Sequence, residues 1–200
     1  MPEQTSMTDR LENPALNGPR YIIFMGVCGV GKSTVAKAVA DALPARFLEA
    51  DGFHPRENVE SMAAGRPLND EQRWPWLSIL CQAAVEEQAK TGMAVTIACS
   101  ALKRRYRDFM REKLGGETLF IHLDADRDVI FERLTSRPGH FMPPALLDSQ
   151  LADLEAPTGE AGCHRLDVSE NRARVVERAL VLCRQAEKAA SGSAVQTEDS

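Results

Sequence analysis

The chain has 200 residues, of which 44% are hydrophobic and 26% are charged, a composition typical of a single globular domain. Its formal net charge of −5 argues against binding to nucleic acid or to an anionic membrane surface through the overall charge of the protein. Five cysteines without a CxxC pair, together with the lack of a signal-like or membrane-spanning apolar stretch, predict a reduced cytoplasmic protein without a disulfide framework or zinc cluster.

Short apolar runs alternate along the chain with longer amphipathic stretches. The runs predict strands at Tyr21–Val27, Arg46–Ala50, Ala94–Cys99, Leu119–Leu123 and His164–Val168. Three of them are nearly continuous in apolar character, as in strands buried on both faces of a parallel sheet. The stretches between and after them predict helices over residues 32–42, 70–90, 103–113, 126–136 and 171–188. This alternation predicts an α/β three-layer sandwich with a parallel sheet and right-handed crossovers.

Polar ends flank the predicted domain. We expect a disordered leader over residues 1–19, one domain over 20–188 and a disordered tail over 189–200, because the ends are small and polar in composition. Two segments, 52–69 and 137–160, interrupt the alternation of strands and helices. Ligand-covering segments of open α/β sheets lie beyond the carboxyl ends of the strands, so both segments are candidates for that role.

A glycine-rich loop between the first strand and the first helix matches the pattern G-x-x-x-x-G-K-[ST]. It consists of Gly26, Val27, Cys28, Gly29, Val30, Gly31, Lys32 and Ser33. The glycines let successive backbone N–H groups point inward, and the following helix presents its positive end to the same anion. The motif predicts a nucleoside triphosphate site with Lys32 at the β- and γ-phosphates, Ser33 on Mg²⁺ and Thr34 at the α-phosphate. The alternative interpretation is a glycine-rich turn that caps a helix.

A phosphate loop serves GTPase switches, motor ATPases and small-molecule kinases alike. The chain has no NKxD sequence for guanine recognition, and it is too short for most motor architectures. We therefore predict a small kinase that uses ATP. Such an enzyme needs an acceptor pocket and a lid that excludes water.

Asp51 ends the second predicted strand and is expected to face the γ-phosphate across the crevice. There it would orient the acceptor hydroxyl, accept its proton, or hold Mg²⁺ through water. The alternative is that Asp51 only caps a turn. Two interpretations of His54 are equally open: it hydrogen-bonds the acceptor, or it packs beside Pro55.

Four blocks of the sequence resemble the gluconokinase family, P-loop kinases that phosphorylate D-gluconate at the 6-hydroxyl. They are GVCGVGKST, ADGFHPRENVESMAAGRPLNDEQRWPWL (50–77), CSALKRRYRDFMR (99–111) and RLTSRPGHF (133–141). The similarity runs from about residue 21 to 187, and the block at 50–77 separates this family from the shikimate and adenylate kinases. One departure is Glu49, where family members often have Asp. A second is the stretch 142–148, where members tend to be polar or basic.

The resemblance implies ATP:D-gluconate 6-phosphotransferase activity, a nucleoside-monophosphate-kinase-like fold with a short helical lid, Mg²⁺ dependence and a homodimer. The product, 6-phospho-D-gluconate, would enter the pentose phosphate or Entner-Doudoroff route. One alternative is another small-molecule kinase of this fold, such as a shikimate-type or other sugar-acid kinase. The other is a nucleotide-binding protein that phosphorylates no acceptor.

A small polyhydroxy carboxylate needs a cation for its carboxylate and polar groups for its hydroxyls. Arg73 and Lys103 are the candidate cations, and Ser100 ends the third strand, where its hydroxyl can face the pocket. The substrate-binding segment is expected over about 52–77. Asn69 and Asp70 precede the long helix and would cap it, or Asp70 would hold Arg73 in place.

Two further features of this region are explained by a structural role rather than by substrate binding. Trp76 is predicted to be a core residue, and Pro75 to lie in the first turn of the helix. The basic stretch 103–111 is predicted to be mainly a solvated helix face, with Lys103 and Arg107 as the members turned towards the substrate. Nucleic-acid binding is not favoured there, because the stretch is isolated in a net-acidic chain.

The predicted lid covers about residues 133–157. Arg133 and Arg137 share a helix face, Pro138 ends that helix and Gly139 allows a hinge. We assign Arg133 to the nucleotide or the lid base and Arg137 to the transferring phosphoryl group. Surface ion pairing of these arginines is the alternative. His140 is expected to close over the site, and Lys32, Asp51 and Arg137 form the predicted catalytic set.

Overall fold

A computed structural model describes residues 18–115, 117–136 and 144–194. Its centre is a parallel five-stranded sheet in the order β2-β3-β1-β4-β5. The strands are β1 (Tyr21–Met25), β2 (Ala45–Glu49), β3 (Ala94–Ala98), β4 (Thr118–Asp124) and β5 (Cys163–Asp167). All five occur where the apolar runs predicted them, so the predicted α/β class is confirmed.

Helices cover both faces of the sheet. They are α1 (Lys32–Ala42), α2 (Arg56–Ala63), α3 (Asp70–Thr91), α4 (Arg104–Leu114), α5 (Arg127–Thr135), α6 (Pro144–Asp153) and α7 (Arg172–Ala194). Five of them match the predicted helices, whereas α2 and α6 lie in the two segments that periodicity left unassigned. The predicted tail begins too early, because α7 continues through residues 189–194. No helix in the described ranges is both long enough and apolar enough to cross a membrane.

β1 lies at the centre of the sheet and all five of its residues are buried. Ile22 and Phe24 face a core cluster that includes the buried sides of α1 and α7, while Ile23 and Met25 face a second cluster under α3 and α4. A strand covered on both faces needs apolar residues at every position. This explains why its sequence is continuous rather than alternating.

The start of α3 positions one wall of the candidate site. Asn69 caps the helix, since its side chain accepts from the Gln72 N–H at 2.9 Å. In return, the Gln72 side-chain oxygen accepts from the Asn69 N–H at 3.0 Å. The capping role predicted for Asn69 is therefore confirmed. The predicted place of Pro75 is wrong: because α3 begins at Asp70, Pro75 lies inside the helix, in its second turn. Trp76 is 5% exposed and donates to the Ala50 carbonyl at 2.8 Å, which confirms it as a core residue.

Arg107 is the largest fully buried side chain, with 0% exposure. Its guanidinium donates to the carbonyls of Ala101, Leu102 and Glu155 at 2.8–3.0 Å and forms a two-pronged pair with Glu160. The expectation that Arg107 turns towards the substrate is thus wrong, because all of these partners belong to the protein itself. The guanidinium joins the loop before α4 to the segment that follows α6. The neighbouring guanidinium holds the pKa of Glu160 down at about 2.

We predict that Arg107→Met lowers the free energy of unfolding by about 3 kcal/mol, because the variant removes the two-pronged partner of the buried Glu160 carboxylate and leaves it only the longer bond from Arg111 at 3.3 Å. Urea unfolding at pH 7 measures the change. Arg174→Met is the matched control, since Arg174 forms an exposed pair with Glu177 on α7 and its loss should change little. Equal effects of the two substitutions would contradict a stabilising role for the buried pair.

The same pair gives a pH dependence whose sign follows from the lowered pKa of Glu160. Its stabilising contribution is fully present above the ordinary carboxyl pKa of 4.5 and is lost as the pH falls towards about 2. The gap in unfolding free energy between the wild type and Glu160→Gln should therefore be larger at pH 7 than at pH 3.

Candidate active site

The loop between β1 and α1 has the backbone shape of an anion cradle. Gly26, Gly29 and Gly31 have φ values of 135°, 77° and 103°, which side-chain-bearing residues rarely adopt. A Cβ at Gly26 would lie 2.6 Å from the Leu123 carbonyl oxygen, and one at Gly29 would lie 2.5 Å from Leu134 Cγ. Gly31 is the N-cap of α1 and supplies no capping side chain, so the first N–H groups of α1 stay available to an anion.

Lys32 is the first residue of α1, and its side chain folds back over the cradle. Its ammonium donates to the Val27 carbonyl at 3.0 Å. Burial lowers the pKa of Lys32, and the nearby Asp51 carboxylate opposes that shift. The amine therefore lies between the loop and the acidic end of β2, where a phosphate chain in the cradle would meet it.

Glu49 and Asp51 lie at the carboxyl end of β2, but their surroundings differ. The Glu49 carboxylate is half-buried near the Ser33 side chain, while the Asp51 side chain is 86% exposed in the 3₁₀ turn Ala50–Phe53. Burial raises the pKa of Glu49, the Ser33 hydroxyl opposes the shift, and the neighbouring Asp51 adds to it. Glu49 is thus a carboxylate close to the hydroxyl predicted to hold Mg²⁺, a proximity that the sequence did not indicate.

His54 packs on Trp76. The two rings stack at 4.2 Å between centroids with an interplanar angle of 17°. Asn58 Nδ2 lies 3.4 Å from His54 Nδ1, and Asp51 Oδ1 lies 4.0 Å from His54 Nε2. Burial lowers the pKa of His54, so the ring is neutral at pH 7. The imidazole is therefore oriented next to Asp51.

A cavity of about 550 Å³ opens at the N-terminal end of α3. Its lining residues are Pro67, Leu68, Asn69, Asp70, Glu71, Arg73, Lys103, Ser149 and Asp153. The two predicted cations come together in it from α3 and from the N-cap of α4. Lys103 Nζ lies 3.5 Å from Asp70 and 3.4 Å from Asp153, and Arg73 lies 3.9 Å and 3.7 Å from the same two carboxylates. The alternative that Asp70 holds Arg73 is confirmed as an ion pair.

The sequence did not indicate two polar residues that contact the charged groups of this pocket, Tyr106 and Asp153. The Tyr106 hydroxyl accepts from Arg73 at 2.8 Å and donates to Asp70, and burial raises the pKa of this phenol. Asp153 reaches the cations from α6. Tyr106 lies three residues after Lys103, a helical spacing that could have indicated its place near the pocket. No feature of the sequence around Asp153 indicated that it belongs to the pocket.

The remaining predicted residues are placed as follows. The Ser100 carbonyl accepts the Gly26 N–H at 3.2 Å, so the end of β3 lies directly against the phosphate loop. Arg133 donates to the Val168 carbonyl at 2.5 Å, at the end of β5. Arg137 and His140 lie outside the described residues.

Comparison with known proteins identifies the family. Residues 22–157 match the family described as the AAA domain. The chain is 48% identical over 142 residues to a gluconokinase of Gluconobacter oxydans, covering 70% of this chain and 77% of that protein. It is 49% identical over 136 residues to the thermoresistant gluconokinase of Escherichia coli, covering 68% and 76%. The chain belongs to the gluconokinase family. The crystal structure of a gluconokinase from Sinorhizobium meliloti has a TM-score of 0.76 to it at 42% identity, covering 86% of this chain and 95% of that one.

The conformation of Gly29 yields a prediction for this gluconokinase-family member. Gly29→Ala should weaken ATP binding at least tenfold, because the added Cβ meets Leu134 and strains the phosphate loop. Isothermal titration calorimetry with an ATP analogue measures the change. Gly159→Ala is the control, since Gly159 has a similar φ of 75° with nothing within 4 Å of an added Cβ. Unchanged nucleotide affinity in Gly29→Ala would mean that the loop tolerates the side chain.

Proposed function

We propose that this protein transfers the γ-phosphoryl group of ATP to the 6-hydroxyl of D-gluconate, giving 6-phospho-D-gluconate and ADP. The observation that carries the proposal is the pocket in which Arg73 and Lys103 converge, in a gluconokinase-family chain that also has a phosphate loop. Two cations suit the carboxylate of a sugar acid, and the carboxylates of Asp70 and Asp153 suit its hydroxyl groups.

The chemistry requires positioning and charge neutralisation more than covalent catalysis. The acceptor oxygen forms a bond to the γ-phosphorus as the bond from that phosphorus to the bridging oxygen breaks, and ADP leaves. Asp51 orients the hydroxyl and takes its proton late, with His54 beside it. The loop N–H groups and Lys32 stabilise the charge on the phosphates, and we assign the same role to Arg137 from the lid. Arg133, whose guanidinium donates to the Val168 carbonyl, is assigned to the nucleotide or the lid base.

The residues around the loop fit a Mg²⁺ ion that is shared with the nucleotide. Ser33, Glu49 and Asp51 offer oxygen donors, and Glu49 lies near Ser33. Among the described residues, no group of three or more His, Cys, Asp or Glu side chains is arranged to hold a metal. Mg²⁺ is usually bound by one or two carboxylates plus phosphate oxygens, so a site completed by ATP agrees with this arrangement. The bound ion would neutralise charge on the β- and γ-phosphates.

The alternatives are less well supported. The curated relatives compared above bear the name gluconokinase, which does not favour a shikimate-type acceptor. A nucleotide-binding protein without an acceptor would have no need for two cations held by two carboxylates in an open pocket. The family resemblance also supports a cytoplasmic homodimer, with a substrate-binding segment over about 52–77 and a lid over about 133–157.

A coupled ADP-release assay tests the function. ATP and Mg²⁺ are supplied with D-gluconate, L-idonate, glucose, shikimate, AMP or no acceptor. We expect ADP release that depends on D-gluconate. Equal release with every addition, including none, would reveal an uncoupled ATPase and would remove the acceptor-site assignments.

Arg73→Ala should raise the KM for D-gluconate by tenfold to a hundredfold, on the order expected for a lost hydrogen bond to a charged group. The KM for ATP should change much less, because Arg73 lines the acceptor pocket and does not belong to the phosphate loop. Steady-state kinetics with each substrate varied measures both values. Arg46→Ala removes an exposed pair with Glu87 on the far side of β2 and serves as the control. A larger rise in the ATP KM than in the gluconate KM would place Arg73 at the nucleotide instead.

Substitutions of Glu49 and of Asp51 should change the Mg²⁺ dependence of the activity in different ways. We expect Glu49→Gln to raise the Mg²⁺ concentration for half-maximal activity several-fold, because Glu49 is the carboxylate next to Ser33. Asp51→Asn should instead lower kcat at saturating Mg²⁺, because the variant cannot accept the proton of the acceptor. Mg²⁺ titrations of both variants check the assignment, and exchanged phenotypes would reverse the two roles.

A further inference from the structure

α6 reaches the phosphate loop through one side chain. The Cys28 backbone N–H donates to Gln150 Oε1 at 2.6 Å, a contact between residues 122 positions apart. Gln150 is half-buried. Neither the proposed chemistry nor the motif of the loop accounts for this contact.

The position of Gln150 is fixed by its helix, which is anchored on both sides of it. Leu147 is fully buried in the core, and Asp148 binds the Arg127 guanidinium at 2.8 and 3.2 Å. Asp153, one turn further along, pairs with Lys103 and Arg73 in the acceptor pocket. Gln150 therefore projects from a helix that contacts the core, α5 and the acceptor cations at once.

The bond to Cys28 also fixes which end of the carboxamide faces the loop. A peptide N–H is a donor only, so it must meet the oxygen of Gln150 and not the nitrogen. The Nε2 group then keeps two N–H donors, and no described residue accepts either of them. Gln150 thus carries a neutral double donor next to the phosphate loop, on a helix whose Ser149 and Asp153 line the acceptor pocket.

We propose that Gln150 is a further catalytic residue, whose Nε2 donates to an oxygen of the phosphoryl group during its transfer. The inference rests on the proposed function. The oriented donor meets the charge that spreads over the phosphoryl oxygens in the transition state, and no reorganisation is needed at that moment. Asp153 of the same helix pairs with the acceptor cations. α6 therefore fixes the position of the Gln150 side chain relative to the acceptor pocket.

Two substitutions test the role. Gln150→Ala removes the donor and should lower kcat by about a hundredfold, with Tm and the affinity for a non-hydrolysable ATP analogue close to those of the wild type. Gln150→Glu keeps an oxygen for the Cys28 N–H but places a carboxylate where the donor stood, and its kcat should be lower still at pH 8. Its kcat relative to the wild type should rise as the pH falls towards 5, because a protonated carboxyl restores one donor. Gln82→Glu on the exposed face of α3 is the matched control.

The outcomes separate the possible roles. Wild-type kcat in Gln150→Ala would reduce Gln150 to a packing residue. Tighter binding of the ATP analogue with unchanged kcat would show that Gln150 only occupies the place of a phosphate oxygen. A fall in Tm that matches the fall in activity, with no pH-dependent recovery in Gln150→Glu, would make the role structural. All three results overturn the proposal.

The wild type assayed in parallel separates this inference from the function on which it rests. If the wild type does not turn over D-gluconate, the proposed function fails and the role of Gln150 falls with it. If the wild type is active and Gln150→Ala is equally active, only the role of Gln150 is rejected.

Discussion

Close packing around the phosphate loop constrains the rest of this structure. The loop leaves the carboxyl end of β1 at the centre of the sheet and passes so close to β4 and α5 that Gly26 and Gly29 have no room for a Cβ. This packing fixes the direction of α1 and turns the loop N–H groups towards one point. The ends of β2 and β3 lie beside that point, so Lys32, Glu49 and the backbone of Ser100 surround it.

The charged side chains of the acceptor pocket come from several different elements of the fold. Arg73 comes from α3, Lys103 precedes α4 and Asp153 comes from α6. Each cation has carboxylate neighbours at 3.4–3.9 Å, distances that allow exchange for the carboxylate of a ligand. The Arg107 guanidinium, fully enclosed by carbonyls and Glu160, fixes the backbone from which Lys103 and the segment after α6 extend.

Much of the fold was predictable, because its signals are local. The apolar runs of β1, β3 and β4 and the spacing of the long helices require only neighbouring residues to be recognised. Periodicity did not predict α2 and α6, because they are short, lie near prolines and carry no sustained apolar face. The roles of Arg107 and Tyr106 were missed for another reason: a basic stretch on a helix does not reveal which of its members faces inward.

The sequence by itself determined the phosphate cradle and its lysine, the parallel α/β architecture and the family, because each depends on a contiguous motif or a short repeat. Tertiary structure alone decided that Glu49 lies near Ser33, that Asp153 shares the cations of Asp70, and that the Gln150 side chain accepts from the Cys28 N–H. These contacts join residues far apart in the chain. They exist because parallel strands bring their carboxyl ends to one edge of the sheet, where the connecting segments must pack against each other.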